Sequence, residues 1–419
     1  MPNIILSINA GSSSVKVSVF ANTAKEPKQL AEIQVSGLTA PPAKLKYTRG
    51  DEKVSDKEIE KISDVKDAFG IALDELINDK SLEELKKPED IDFACHRIVH
   101  GGGYDKPIRI DKDTYHHLEA LSDLAPLHNA GALEIVKAVH EKVPNCTNVA
   151  FFDSMFHQTI PEPARTYMID REKAEKNGLR KYGFHGLSYA FITRAVAAHL
   201  KKEPDQTSII ALHLGSGASA CAIKDGKSVD TTMGLTPLSG LPGATRSGDV
   251  DPSLIFHLTS DAGKLSQSST KDLHITRAEV VLNKESGWKA LSGTTDFGVV
   301  SQKAEEGDDK CKLAFDVFVD RLVSFIGSYY VKLNGEVDAL VFAGGIGEKG
   351  VQLRKAVAEK VKCLGFALDS SANDKPGEDV VVDIGSKDAK HKTLICQTDE
   401  QTEMARECVA EAKRLESER

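Results

Sequence analysis

No pair of cysteines in this chain stands in a CxxC arrangement. The seven present (Cys95, Cys146, Cys221, Cys311, Cys363, Cys396 and Cys408) are scattered and odd in number. They exclude a disulfide framework or a zinc site and read as small buried hydrophobes in a reducing compartment. No apolar run reaches the roughly 20 residues that a membrane-spanning helix needs. Residues 1–20 lack the basic start and long apolar region of a signal peptide. Positive charge is in deficit, since 54 Lys and Arg face 63 Asp and Glu for a net −9. Nucleic acid would therefore find no general electrostatic attraction. These absences point to a cytosolic location with neither membrane nor nucleic acid as partner. Three catalytic signatures are missing as well. There is no GxxxxGK followed by Ser or Thr, so this is not a P-loop protein. Residues 296–298 read DFG without the companions of a protein kinase, and no GxSxG elbow of a serine hydrolase occurs.

What is present begins with NIILSINAGSSSVKVSVF at 3–20. The apolar run Ile4, Ile5, Leu6 and Ile8 predicts a buried strand, and Val15, Val17 and Val19 alternate with Lys16, Ser18 and Phe20 as a half-buried one. Asn9 to Ser12 supply turn chemistry between them. Converging N–H groups in a Gly-Ser turn can hold a phosphate, with Lys16 adding charge, or the segment is a plain hairpin. Residues 208–223, SIIALHLGSGASACAI, repeat the plan. VDALVFAGGIGE at 337–348 runs a strand into glycines and then into a helix, where Leu353, Val357 and Val361 recur every four residues until Gly365. The echo predicts a duplicated α/β unit with a nucleotide held between the halves. A length of 419 residues also exceeds one comfortable core.

Residues 21–90 predict short strand pieces among charged segments, with TAPPAKLKYTRGDEKVSD as an exposed loop and a helix over 64–78. Ile91 to Cys95 predicts a strand that delivers His96, Arg97 and His100 into HRIVHGGG, either a ligand-binding strand end or a polar loop. A helix follows near 113–122. Asn129 then reads as the N-cap of a helix bearing Leu133, Val136 and Val139. His128, just before it, is placed to meet an anion or is structural. Asp153 closes the strand Val149 to Phe152 as a metal ligand, a base or a turn former. Past Pro161 the composition turns polar, and a domain boundary belongs near there. His185 lies in a glycine loop before a helix expected from about Ser188. The irregular stretch 231–253 carries Arg246 near Asp249 and Asp251, and loops of that length are commonly functional. Residues 309–334 predict the clearest helix, with Phe318, Leu322, Phe325 and Tyr329 as a core or interface stripe. In the tail, Thr398 reads as an N-cap with Gln401 completing a capping box, and Asp399 and Glu400 suit the helix dipole. Glu400 as a metal group is the alternative.

The strings NAGSSSVK, HRIVHGGG, PLHN, FDSMFHQTIP, YGFHG, HLGSGAS, TPLSGLPGATRSGD, AGGIGE and TDE stand in the order and spacing of the acetate kinases. The sequence resembles that family over essentially its whole length. The resemblance implies the α/β fold of sugar kinases, Hsp70 and actin: two duplicated lobes with an interlobe active-site cleft. Residues 1–156 plus 388–419 would form the N-terminal lobe, and 157–387 the nucleotide-binding and dimerisation lobe. The implied reaction is ATP + acetate ⇌ ADP + acetyl phosphate by direct in-line transfer, with Mg²⁺ (or Mn²⁺), in a homodimer. Carried over, Asn9, Ser12, Ser14 and Lys16 lie at the first phosphate turn. Arg97 and Arg246 face the carboxylate and the phosphoryl group in flight, His185 bonds that group, and His128 helps position it. Asn9, Asp153 and Glu400 organise the metal. Val99, Leu127, Phe184 and Pro237 wall the methyl group. The nucleotide falls to His213, Leu214, Gly215, Ser216 and Gly217, to Asp296, Phe297 and Gly298, and to Gly344, Gly345, Ile346 and Gly347. Two positions depart from the family's usual strings: Ser216 replaces the Asn of HLGNG, and Gly298 stands where Arg usually follows Asp-Phe. The alternatives are a propionate or butyrate kinase, a pyrophosphate/phosphate-dependent acetate kinase and, in another class, a binding ATPase like Hsp70 or actin. The intact AGGIGE favours ATP.

Overall fold

The computed structural model describes residues 4–11, 14–23, 26–38, 42–60, 62–121, 126–267, 269 and 275–417, with backbone alone at 126–128, 130 and 416. The chain divides into two compact units, Met1–Met155 with Asp399–Arg419, and Phe156–Thr398.

The first unit is built on an eight-stranded sheet in the order β5-β4-β3-β2-β1-β6-β8-β7. Its strands are β1 (Ile4–Gly11), β2 (Ser14–Ala21), β3 (Lys28–Ser36), β4 (Ala43–Arg49), β5 (Glu52–Ile59), β6 (Ile91–Ile98), β7 (Ile108–Arg109) and β8 (Thr147–Phe152). β1 is apolar along most of its length because both faces are covered. Ile4, Leu6 and Ile8 join a core with Phe69, Leu73 and Leu76 of helix Val65–Asn78 and Ile135 and Val139 of helix Pro126–Lys142. On the other face Ser7 exchanges two hydrogen bonds of 2.9 Å with Gln401 of the tail helix Glu400–Ser417. β1 runs antiparallel to β2, with Asn9 opposite Lys16 and Gly11 opposite Ser14. Asn9 to Gly11 therefore continue the strand and are not its turn.

The exposed loop expected over 39–56 is corrected in part, because β4 and most of β5 lie there. Ala43, Leu45 and Tyr47 are buried while Lys44, Lys46 and Thr48 point outward, an alternation of period two that outweighs the density of charge. β5 is mostly exposed, a charged edge strand of the kind that discourages pairing with another chain.

The second unit holds a six-stranded sheet in the order β11-β10-β9-β12-β14-β13. These are β9 (Ile209–Leu214), β10 (Ala218–Lys224), β11 (Lys227–Thr231), β12 (Ala339–Ala343), β13 (Val381–Asp383) and β14 (Lys392–Cys396). The directions along β11-β10-β9-β12-β14 repeat those of β3-β2-β1-β6-β8: antiparallel, antiparallel, parallel, parallel. This is the duplication that the two Gly-Ser hairpins signalled, and the fold is of the actin and sugar-kinase type. Helix Asp309–Lys332 lays Phe318, Leu322 and Tyr329 into the core with Trp288 and Phe297, while Phe325 is only partly buried. Asn334 and Gly335, both left-handed, close it. Residues 388–398, expected with the first lobe, carry β14, which bonds to β12 in register. All seven cysteines are free and only Cys363 is exposed. Among the described residues no helix is long and apolar enough to cross a membrane.

Candidate active site

In the first unit, three parallel strands end side by side. β1 pairs with β6 (Ile8 opposite His96) and β6 with β8 (Arg97 opposite Phe151), so Asn9, Arg97 and Asp153 meet at the carboxyl edge of the sheet. Arg97 donates from Nε to Asp153 Oδ1 at 3.0 Å, from Nη2 to Asp153 Oδ2 at 2.6 Å, and from Nη1 to Asn9 Oδ1 at 3.2 Å. The Asp153 side chain is 1% exposed. Burial by itself would lower the Arg97 pKa, but the charges of Asp153 and then Glu400 outweigh it and hold the guanidinium above its ordinary value. Two carboxylates against one guanidinium leave one negative charge for a further cation. The donors Asn9, Asp153 and Glu400 are all hard oxygens, which fits Mg²⁺. No group of three His, Cys, Asp or Glu suited to a metal occurs among the described residues.

Asn129 is not an N-cap. The helix begins at Pro126, so Asn129 falls inside it, and its amide clamps the HRIVHGGG loop. Asn129 Oδ1 accepts from His100 N at 3.0 Å, and Nδ2 donates to His100 O at 3.1 Å. The loop is further held by Gly101 N donating to Ser154 Oγ at 3.1 Å. A Cβ at Gly101 would come within 2.3 Å of the Phe152 ring, so only glycine fits. His128 lies within the first turn of the helix and not before it. Its side chain and that of Leu127 are outside the described residues, as is the whole of Ser12. Lys16 pairs with Glu32 at 2.9 Å. Ser14 starts β2, and Val99 is half-buried just after β6.

In the second unit, Gly215 N donates to Gly217 O at 3.0 Å, closing the second hairpin. The irregular loop folds back on this turn, with Ala244 N donating to Ser216 O at 2.8 Å. Arg246 lies over Gly217, where a Cβ would stand 2.0 Å from Nη2. Arg246 has no ion-pair partner among the described residues, and burial alone pulls its pKa down. Gly344 is left-handed and packs on the backbone of Leu214, where a Cβ would sit 2.7 Å from the carbonyl oxygen. Gly345 and Ile346 follow at the start of helix Gly344–Lys349. Arg354, fully buried, donates from Nη1 to the Gly347 and Glu348 carbonyls, both at 2.8 Å, fixing that segment from behind.

His185 takes a left-handed backbone (φ 59°) at the start of helix Gly186–Leu200. Just before it, Gly183 is also left-handed, and the Phe184 carbonyl accepts from His157 Nε2 at 2.9 Å. His185 Nδ1 is 2.8 Å from Ser219 Oγ, and His213 Nδ1 is 2.7 Å from Ser188 Oγ. The two imidazole centroids are 4.1 Å apart. Thr398 spends its hydroxyl on Ser188 at 2.7 Å. The tail helix is capped instead by Asp399 Oδ1, which accepts from Gln401 N at 3.0 Å and Thr402 N at 2.9 Å. Pro237 is buried and Phe184 is fully enclosed. Of the expected Asp-Phe-Gly contact, Asp296 caps helix Phe297–Glu305 through the Gly298 and Val299 N–H groups, and Phe297 is buried in the core, edge-to-face with Trp288. His157, Ser188, Tyr189, Ser219 and Arg354 were given no role from the sequence. His157 and Ser219 lay inside the FDSMFHQTIP and HLGSGAS strings, and Ser188 marked only the expected start of a helix. One cavity, of about 530 Å³, lies away from these residues, at Tyr115, Lys137 and His140.

The acetokinase family matches residues 4–406. A protein of Emericella nidulans named probable acetate kinase is 56% identical over 409 residues, covering 96% of this chain and 97% of that one. A solved propionate kinase from Francisella tularensis superposes with a TM-score of 0.84 at 34% identity, over 97% of this chain and 98% of that one. An acetate kinase from Porphyromonas gingivalis does so with a TM-score of 0.82 at 31% identity, over 97% and 99%.

Proposed function

The chain belongs to the acetokinase family, and we propose that it transfers the γ-phosphoryl group of ATP to the carboxylate of acetate, giving acetyl phosphate and ADP, and runs the reverse reaction. Carboxylates ionise near pKa 4, so acetate is already a nucleophile at pH 7 and needs no general base. An acetate oxygen attacks the γ-phosphorus in line. The new O–P bond forms as the bond to the β,γ-bridging oxygen breaks, and the electron pair leaves on ADP. The protein's share is positioning and charge neutralisation. Arg97 and Arg246 are assigned to the carboxylate and to the transferring oxygens, His185 to a hydrogen bond with the same group, and His128 to its placement. Val99, Leu127, Phe184 and Pro237 are assigned to the methyl group. The turn at Gly215, Ser216 and Gly217, with Gly344 to Gly347, is assigned to the nucleotide. Mg²⁺ would be held by Asn9, Asp153 and Glu400 and would neutralise phosphate charge.

The observation that carries this reading is Arg246. A shielded guanidinium without a carboxylate partner among the described residues is costly unless an anion completes it. The test traps the product. With ATP, acetate and hydroxylamine, the purified protein should form acetohydroxamate only when both substrates are present. ATP turnover at the same rate without acetate would overturn the assignment. Initial rates with pyrophosphate in place of ATP address the departures at Ser216 and Gly298. Rates with propionate address a pocket in which one methylene is worth only about 1–3 kcal/mol. A homodimer, measured by sedimentation, and a cytosolic location belong to the same reading.

A further inference from the structure

We propose that Ser219 and Tyr189 are positioning residues that set the tautomer of His185, so that its Nε2 carries the proton. The inference rests on the reading that His185 serves the transferring phosphoryl group. Ser219 Oγ lies 2.8 Å from His185 Nδ1 and 2.5 Å from the Tyr189 hydroxyl, and both Ser219 and Tyr189 are fully buried. A serine hydroxyl has one proton to give and two lone pairs to accept with. Between the two hydroxyls the phenol is the stronger acid and donates. The single Ser219 proton then points at Nδ1. In the reverse arrangement Ser219 would accept from both neighbours, and its own proton would be buried with no acceptor among the described residues, a costly state.

Nδ1 is therefore the acceptor, and the imidazole proton sits on Nε2. That matters for an anionic partner, because Nε2–H attracts a phosphoryl oxygen, whereas the opposite tautomer presents a lone pair to it. The backbone supports the same orientation. His185 is held left-handed, with Phe184 O fixed by His157 on one side and His185 O accepting from Tyr189 N at 3.0 Å on the other. Tyr189 thus anchors His185 through its main chain and, by way of Ser219, through its ring.

The experiment reads the tautomer directly. In protein labelled with ¹⁵N-histidine, the His185 signals, assigned by their loss in His185→Gln, should show a protonated Nε2 and an unprotonated Nδ1. Ser219→Ala should mix the tautomers and lower kcat by about tenfold, with each KM moving by less than about twofold. Ser219→Thr, which restores the hydroxyl, should recover the wild-type spectrum. Tyr189→Phe should have a smaller effect, and the double variant should be no worse than Ser219→Ala, because the two act in series. A wild-type His185 protonated on Nδ1, an unchanged spectrum in Ser219→Ala, or effects that multiply in the double variant would each overturn the proposal. If the wild-type protein forms no acyl phosphate, the functional reading fails while the spectrum still decides the tautomer.

Discussion

At the scale of single residues, the two arginines of the candidate site should behave differently. Arg97 satisfies the carboxylate of Asp153, which is 1% exposed. Arg97→Ala would leave that charge buried and unpaired, a loss of about 3–5 kcal/mol in stability. Arg246 has only burial acting on it, so Arg246→Ala removes a strained cation and should leave stability unchanged or slightly higher. Both variants should be at least about a hundredfold slower in acetate-dependent transfer, by analogy with single transition-state donors. Urea titrations beside initial rates check this. Equal stability of the two variants would undo the argument from Asp153, and near-normal rates would remove the arginine concerned from the chemistry. Arg97 and Asp153 were legible because charged residues at strand ends are recognisable by type and place. Asn129 was not, since its partner His100 lies 29 residues away, and a polar residue near a helix start defaults to a cap. Thr398 misled for the same reason: a distant hydroxyl, that of Ser188, competed for it and Asp399 took the cap.

At the scale of elements, the tail helix Glu400–Ser417 carries its own pH dependence. Glu407 Oε2 is buried without a hydrogen-bond partner among the described residues. Burial first, and the neighbouring Glu403 second, push its carboxyl up to about 7. A carboxyl that holds its proton more tightly folded than unfolded costs nothing below its ordinary pKa. The cost grows as pH rises and is complete above about 7, at roughly 3 kcal/mol. Glu407→Gln should therefore stabilise the protein by about 1–3 kcal/mol at pH 8 and have little effect at pH 4.5, measured by urea denaturation. An equal gain at both values would show that titration is not the cause. Elements differed in how openly the sequence declared them. The apolar period of helix Asp309–Lys332 and the two Gly-Ser hairpins were plain, because hydrophobic spacing dominates there. β4 hid among lysines, since only every second residue of a half-buried strand has to be apolar.

At the scale of the whole molecule, each unit encloses a neutral histidine, and together they should set the acid limit of the fold. In the first unit His96 donates from Nε2 to Asn148 Oδ1 at 2.8 Å. In the second, His157 donates from Nε2 to Phe184 O at 2.9 Å, and its Nδ1 is 2.8 Å from Ser228 Oγ. Burial, the larger influence at each, lowers both rings to about 4. Above the ordinary histidine pKa of about 6.5 both rings are neutral, folded or unfolded, and stability does not depend on them. As pH falls from about 6.5 towards 4, the unfolded chain takes up two protons that the folded one refuses. Each ring then costs roughly 3 kcal/mol, and the pair is comparable to the 5–15 kcal/mol that usually holds a folded domain together. Because His157 also fixes the carbonyl just before His185, loss of the second unit and loss of activity should coincide. Far-ultraviolet circular dichroism and hydroxamate formation, followed in parallel from pH 7 to pH 4, are expected to fall together over that window. A protein as stable at pH 4.5 as at pH 7 would mean that these rings accept protons in place, and the neutral arrangement at Phe184 and Asn148 would then be wrong.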